Sequence, residues 1–373
     1  MPVTITEYTE NMTEQVRRFN ARLEAAGEPL RFPTSHIPEW LPKVAGQKLY
    51  QEYYLAADEA SNVRGAYVLK HQEFLLNGQT LSIADFRLPI SEGVADRQHN
   101  SVGVLLLLDA IRKQPLLFGL GIGSRDEPLS RLLVASGWRL SSVPFFFSII
   151  RPFRFLRHIA HLRGSLARQY LLDVAAFSGL GWSAIKALQT VRYRRPSLQA
   201  TGVKTETVEE FSGWVDDLWK ESSAEYGLAA VRDSETVRLL YPREETRFIR
   251  LRTTRQGKAI GWAVLLDTHL TAHKQFGNMR LGSIVDCFSA TADTNHVIAA
   301  ATEFLERRGV DLIVSNQAHA AWCKAFDTCG FMRGPSNFLF AASKALKQRL
   351  DEAGVKNDDI HMTRGDGDGP IHL

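Results

Sequence analysis

The sequence predicts a mixed α/β (α+β) fold made of two similar halves, each a twisted mixed sheet flanked by helices. Short β-rich segments alternate with helical apolar patterns along the whole chain. The second half repeats the order of the first. At 373 residues, the chain also exceeds the usual size of a single domain. We therefore expect two domains with one topology.

The first half begins with an alternating strand over 3–8 and an amphipathic helix over 12–25, which ends before Gly27. A β-hairpin, a strand, an apolar helix, a short strand, a second helix and a closing strand follow. These segments are 49–57, 62–69, 79–88, 102–113, 116–120, 128–135 and 143–150.

The second half shows the same order of predicted elements. Strands are expected at 203–208, 248–253, 259–266, 281–289, 310–314 and 337–341, and helices at 208–226, around 297–305 and at 318–326.

The repeat is visible residue by residue in three places. The matched segments are 65–69 with 261–265, 82–86 with 283–287, and 135–138 with 328–331. Each pair lies roughly 200 residues apart, which indicates paired domains and not a solenoid. We predict a first domain over 1–150, a basic helical linker over 151–200, a second domain over 201–343 and a polar tail over 344–373, either disordered or docked.

Composition and charge restrict the class of protein. The net charge of +4 is too small to indicate nucleic-acid binding by itself. Three cysteines without a C-x-x-C pair do not form a disulfide framework, which favours a reducing compartment. The N-terminus lacks a signal-peptide pattern, and no apolar run reaches the length of a membrane span. We expect a cytoplasmic protein that can be peripheral to a membrane.

The order of elements resembles the GNAT (acyl-CoA N-acyltransferase) superfamily over about 3–150 and again over about 201–343. The two-half layout also resembles Fem-type aminoacyltransferases. The family's pyrophosphate loop, [RQ]-x-x-G-x-[GA], matches the segment Gln98 to Gly103, with Ser101 where the first glycine is expected. The resemblance implies an N-acyltransferase that uses acetyl-CoA or another acyl-CoA as co-substrate.

Such a loop binds phosphate because backbone N–H groups and the helix N-terminus converge on its oxygens. We predict that the coenzyme contacts this loop and the end of the preceding strand, at Leu88, Ile90, Gln98, Asn100, Ser101, Val102, Gly103 and Val104. The alternative is that Asn100 or Ser101 only caps an ordinary helix. The matching segment of the second half, 289–296, has no glycine and carries Asp293, which repels phosphate. We therefore interpret that half as acceptor-binding or structural.

Acyl transfer to an amine needs a general base, often a carboxylate. Asp85 and Asp286 occupy equivalent places in the repeat, and Glu92 lies just before the loop. These three residues are the candidate catalytic carboxylates; the alternative for each is a pair with an arginine or a backbone cap. The tyrosine that the family uses as proton donor is absent from 130–137, and Trp322 stands in the corresponding helix of the second half.

The linker is strongly basic. Between 151 and 195 lie nine lysines and arginines and one acid, Asp173, with aromatic residues interleaved at the start. This pattern is typical of contact with an anionic membrane or carrier, and equally of a helical hairpin that packs the halves together. No nucleic-acid-binding motif accompanies the charge.

The sequence thus favours an N-acyltransferase that moves an acyl group to a small-molecule or glycan amine, such as an amino sugar or a cell-surface polysaccharide precursor. One alternative is Fem-type aminoacyl transfer. Another is a non-catalytic duplicated fold that binds a glycan or a partner protein. Acyl group, acceptor and oligomeric state are not specified by the sequence.

Overall fold

A computed structural model describes residues 2–35, 37–38, 40–160, 173–174, 176, 183, 187, 196–336 and 338–367. The chain divides into two compact units. The first unit comprises Met1–Ser141 with Leu339–Val355, and the second comprises Ser142–Phe338 with Lys356–Leu373.

Helices and strands alternate along the chain. The earlier elements are β1 (Val3–Glu7), α1 (Thr13–Ala25), β2 (Tyr50–Asp58), β3 (Val63–Leu76), β4 (Gln79–Ser91), α2 (Ser101–Lys113), β5 (Leu117–Leu120), α3 (Pro128–Ala135), β6 (Arg139–Ser142), β7 (Phe145–Ile149) and α4 (Pro152–His158). The later ones are β8 (Val203–Val208), α5 (Trp214–Ser222), β9 (Leu228–Ala230), α6 (Ser234–Leu240), β10 (Ile249–Arg255), β11 (Lys258–His269), β12 (Arg280–Ser289), α7 (Thr294–Arg308), β13 (Leu312–Asn316), α8 (Ala320–Thr328), β14 (Met332–Gly334), β15 (Leu339–Ala342), α9 (Lys344–Glu352) and β16 (Ile360–His361).

The first unit is built on a mixed sheet in the order β1-β2-β3-β4-β5-β15-β6. Strands β1 to β4 are antiparallel neighbours, whereas β4 and β5 run parallel. Side chains alternate across β3: Val68 packs with α1, while Tyr67 and Leu69 pack with α2 and α3. Both faces of this sheet are therefore covered by helices.

The second unit has a matching sheet in the order β14-β7-β13-β12-β11-β10-β8. Strands β12 and β13 are parallel, and β8, β10, β11 and β12 are antiparallel neighbours. These two sheets confirm the predicted mixed α/β class with two similar halves.

Two closing strands lie in a different unit from the predicted domain that contains their sequence. Strand β7 pairs with β13 and β14 in the second unit, although it lies within 1–150. Strand β15 pairs with β5 in the first unit, although it lies within 201–343. Sequence periodicity identifies a strand but not its partner, because pairing is a non-local interaction.

The repeat predicted from 65–69 and 261–265 has a steric basis. A Cβ atom on Gly65 would lie 2.6 Å from Cγ1 of Val102 in α2. A side chain on Gly261 would likewise collide with Val297 in α7. Each glycine thus lets the helix after the fourth strand approach the sheet closely.

The described start of the basic segment packs against the second unit. Phe155 and Leu156 of α4 belong to its apolar core. The guanidinium groups of Arg151 and Arg154 lie 3.8 and 3.9 Å from the Asp311 carboxylate. This end belongs to the second unit, and most of 161–195 lies outside the described residues. Within the described ranges, no helix combines the length and apolarity needed to cross a bilayer.

Candidate functional site

A gap opens between two strands of the first unit. Strands β4 and β5 pair only at Ala84 with Leu117 and at Asp85 with Phe118, yet β4 continues to Ser91. At Leu88 the backbone of β4 has a φ of 46°, and its register with β3 shifts between Ala66 and Val68. Such a bulge bends a strand away from its neighbour. The rest of β4 therefore has a backbone edge that does not pair with β5.

The head of α2 lies at the end of this strand. Two 3-10 turns, Glu92–Val94 and Arg97–His99, connect β4 to the helix. Asn100 occupies the N-cap position, but its side chain makes no capping hydrogen bond. The first N–H groups of a helix have no partner within the helix. A helix N-terminus without a side-chain cap can bind an anion, and the unpaired strand edge beside it can form hydrogen bonds with amide groups. Together they suit a ligand in which an anion is joined to a chain of amide groups.

The predicted coenzyme contacts fall into two groups. Gln98, Asn100, Ser101 and Val104 are exposed at or beside the helix head, and Gly103 is half-buried there. The side chains of Leu88, Ile90 and Val102 pack into the core instead. Ile90 and Val102 are buried, so only their backbone atoms are available to a ligand, whereas Leu88 is partly exposed. The alternative that Asn100 serves as a side-chain cap is not supported.

The glycine that the connecting turns require sterically is Gly93. A Cβ atom there would lie 2.7 Å from the carbonyl oxygen of His99 and 2.9 Å from Cα of Asn100. At Gly103 the same atom would meet Ser91 at 3.8 Å, an ordinary contact. The loop motif in the sequence indicated Gly103, whereas the close approach of two backbone segments that only glycine permits occurs at Gly93.

Glu92 anchors the start of this connection. Its carboxylate accepts hydrogen bonds from Nε of Arg22 at 2.6 Å and from Nη1 of Arg64 at 2.9 Å. Burial raises the pKa of Glu92, but the bonds from the two arginines outweigh it and hold the pKa below its usual value. A carboxylate held in this way is a weak base. The geometry of Glu92 therefore agrees with the alternative to a catalytic role, in which the carboxylate is paired with arginine.

Asp85 is the last residue of β4 that pairs with β5, so its side chain lies where the gap begins. Its exposure is 1%. Lys70 of β3 is its direct register partner, and Nε of Arg87 lies 3.8 Å from its carboxylate. The Trp40 ring lies within 6 Å of both cations, at 5.8 Å from Nζ of Lys70 and 5.7 Å from Cζ of Arg87.

Asp286 lies in the second unit and is fully buried. It accepts hydrogen bonds from Nε of Arg232 at 2.9 Å, from the Tyr241 hydroxyl at 2.8 Å and from the Thr363 hydroxyl at 3.1 Å. Burial raises its pKa, although Arg232 opposes the shift. Asp286 is therefore part of an internal polar network of the second unit.

Several residues around Asp85 and Glu92 were not predicted from the sequence. Lys70 has the clearest sequence signal, because it directly follows the apolar run Tyr67 to Leu69 on a central strand, where charges are costly. Trp40 lies in a segment without periodicity, and its proximity to Lys70 is a tertiary contact. Arg22 and Arg64 look like ordinary surface charges in the sequence.

Solved structures share this architecture. A tandem GNAT protein from the clavulanic acid biosynthesis pathway superposes with a TM-score of 0.50 at 13% identity, over 91% of this chain and 98% of that one. Both chains are thus matched over almost their whole length. The chain has the tandem GNAT fold.

Two further structures agree with this fold. N-myristoyltransferase from Saccharomyces cerevisiae, solved with myristoyl-CoA, gives a TM-score of 0.54 at 10% identity over 92% of this chain and 83% of that one. A GCN5-related glucosamine N-acetyltransferase region in a fungal multi-domain GH3 β-N-acetylglucosaminidase gives 0.52 at 13% identity, over 91% of this chain and 38% of that one. No protein-family model matches the sequence, and no curated protein does.

Within the tandem GNAT fold, the first unit has both parts of a candidate site for a coenzyme. These parts are the parted strands β4 and β5 and the uncapped head of α2. Asp85 stands at the point where the strands part, and Glu92 holds the turns that lead to the helix.

Proposed function

We propose that the first unit binds acyl-CoA and transfers its acyl group to an amine. The observation that carries this proposal is the parting of β4 and β5 directly after Asp85, next to a helix head without a side-chain cap. The pantetheine arm of the coenzyme contains amide groups, which match the unpaired backbone edge of β4. Its diphosphate suits the N–H groups and the dipole of α2.

The coenzyme supplies an activated thioester. The amine nitrogen attacks the thioester carbonyl carbon, the carbon–sulfur bond breaks, the amine loses a proton and the thiolate gains one. Asp85 is our candidate for the group that accepts the amine proton, through a water molecule if the amine does not reach it. Backbone N–H groups of β4 after Asp85 are our candidates for stabilising the thioester oxygen as negative charge develops there.

Glu92 and Asp286 have different roles in this proposal. Glu92 acts as a positioning residue, because Arg22 and Arg64 already occupy its carboxylate. Asp286 stabilises the second unit, because its partners are internal. We retain Asp85 as the candidate for the chemistry, because it lies where β4 and β5 part.

An amino sugar, free or within a cell-surface polysaccharide precursor, is the acceptor class we propose. This acceptor class is supported by the likeness to a glucosamine N-acetyltransferase region. It is also supported by the aromatic ring of Trp40, which lies beside Arg87, the cation next to Asp85. The test is release of free thiol from acetyl-CoA by the purified protein, with glucosamine, simple amines and amino acids compared. If no member of the panel leads to thiol release and the protein also does not bind acetyl-CoA, acyl transfer is refuted.

Contact of the basic segment 151–195 with an anionic membrane remains a separate proposal, supported by its charge. Flotation with anionic liposomes tests it. We expect the protein in the lipid fraction at low salt and its release at high salt. Its absence from the lipid fraction at low salt contradicts the proposal.

A further inference from the structure

The second unit contains a strand gap like that of the first. Pairing between β12 and β13 ends at Ile284 with Ser315, although β12 continues to Ser289. Its register with β11 also shifts, between Val264 and Leu265. Backbone groups exposed by such a gap need partners when they are buried.

The C-terminal segment of the chain, residues 360–367, lies at this gap, and its first two residues also pair with β9. The N–H of Ala318 donates to the carbonyl of Met362 at 3.1 Å, and Gln317 forms an antiparallel bridge with Thr363. On the other side, Nε2 of His361 lies 3.0 Å from the carbonyl oxygen of Cys287 in β12. The segment thus contacts β12 on one side and the residues after β13 on the other.

Buried charges hold this segment in place. Nη2 of Arg232 lies 2.5 Å from the Asp366 carboxylate, and its Nε bonds to Asp286. All three side chains have no exposed surface. A side chain on Gly365 would collide with the Tyr241 hydroxyl and would lie 3.0 Å from Cβ of Asp286. The fit at Gly365 therefore requires glycine.

The helix head beside this gap carries acidic groups. The N–H of Thr291 donates to the Glu225 carboxylate at 2.7 Å. Asp293, directly before α7, lies 2.8 Å from Nη2 of Arg255. α7 lacks a side-chain cap, as α2 does, but two carboxylates stand at its head, and they disfavour a diphosphate there.

We propose that residues 360–367 are a built-in peptide ligand that fills the strand gap of the second unit. Each chain therefore binds one acyl-CoA, through its first unit only. The number of coenzymes bound per chain rests on the proposed function, whereas the docking of residues 360–367 in the gap does not. The same gap that accepts amide groups of a coenzyme in one unit accepts an extended peptide in the other.

Hydrogen–deuterium exchange of the full-length protein, with native mass spectrometry, tests the two statements separately. We expect amides of 360–367 to exchange at least about 100-fold more slowly than in an unstructured peptide, with or without saturating acetyl-CoA. We expect one coenzyme per chain. Rapid exchange of the segment, its deprotection by acetyl-CoA, or two coenzymes per chain would each overturn the inference.

Two variants examine how the segment is held. Gly365→Ala is expected to raise exchange in 360–367 at least tenfold, whereas Asp358→Ala, at an exposed position just before the segment, is expected to leave it unchanged. Thr363→Ala, which loses the bond to Asp286, serves as the second variant if Gly365→Ala does not fold. Unaltered protection in a folded Gly365→Ala or Thr363→Ala protein contradicts the seating. A wild-type chain that binds no acetyl-CoA contradicts the proposed function, while protection of 360–367 still supports the seating.

Discussion

Arg232 and Asp286 form an ion pair without exposed side-chain surface in the second unit, with 2.9 Å between Nε and Oδ2. Asp366 completes the cluster from the C-terminal segment. Burial raises the pKa of Asp366, but Arg232 and His361 outweigh it and lower the pKa below the usual value. A buried arginine that binds two acids joins distant parts of the chain, and this network accounts for the internal position of Asp286.

Asp286→Ala removes one partner of a buried arginine. We expect a loss of about 3–5 kcal/mol in the free energy of unfolding, because the buried charge of Arg232 is then only partly neutralised. Urea denaturation measures it. Glu209→Ala, which removes an exposed partner of Arg243, is the control and is expected to change stability by less than about 1 kcal/mol. Equal effects of the two variants would show that the buried network does not stabilise the unit.

Asp85→Asn tests the proposed general base. We expect kcat for acyl transfer to fall about 10²- to 10⁴-fold, while the Kd for acetyl-CoA stays within about twofold. Free-thiol release and calorimetry measure the two quantities. Asp126→Asn, at an exposed position, is the control. A variant that keeps kcat within a few-fold of wild type would exclude Asp85 as the base.

Glu92→Gln separates positioning from catalysis. We expect a loss of stability of about 1–3 kcal/mol, because Arg22 and Arg64 lose a charged acceptor. We also expect the pH profile of kcat to keep its shape. Glu14→Gln, on an exposed pair with Arg18, is the control for stability. A hundredfold loss of kcat at unchanged stability would instead identify Glu92 as the base.

Gly65→Ala tests the packing of α2 on the first sheet. A methyl group there would lie 2.6 Å from Val102, so we expect destabilisation of about 1–3 kcal/mol. Gly103→Ala is the matched control, because its methyl group lies 3.8 Å from Ser91 and alanine favours a helix by up to about 1 kcal/mol. Thermal denaturation compares them. The packing account is contradicted if both substitutions have the same effect.

The sequence was sufficient to predict the duplicated α/β architecture and many of its elements, although β9, α6 and α9 were not predicted. Local periodicity identified strands such as 203–208 and helices such as 128–135. It did not identify the partners of β7 and β15, because pairing depends on contacts between distant segments. For the tail over 344–373 the sequence left disorder and docking as alternatives, and it did not identify what the tail contacts, since Arg232 and Asp366 are far apart in the chain.

The candidate site was only partly predictable. The loop motif located the head of α2, and the repeat located Asp85 at the strand gap. The arginine pair on Glu92 was not predictable residue by residue, because Arg22 and Arg64 come from other elements. Fold class follows from local patterns, whereas the role of a carboxylate follows from its tertiary neighbours.

Calorimetric titration of acetyl-CoA into wild type, Gly103→Ala and Gly103→Glu tests whether the coenzyme binds at the head of α2. We expect wild type and Gly103→Ala to bind one coenzyme each with similar Kd. Gly103→Glu should bind at least about tenfold more weakly, because it places a negative charge at the helix head where the diphosphate docks. A wild-type protein that does not bind, or a Gly103→Glu protein that binds equally well, would contradict a coenzyme site at the head of α2.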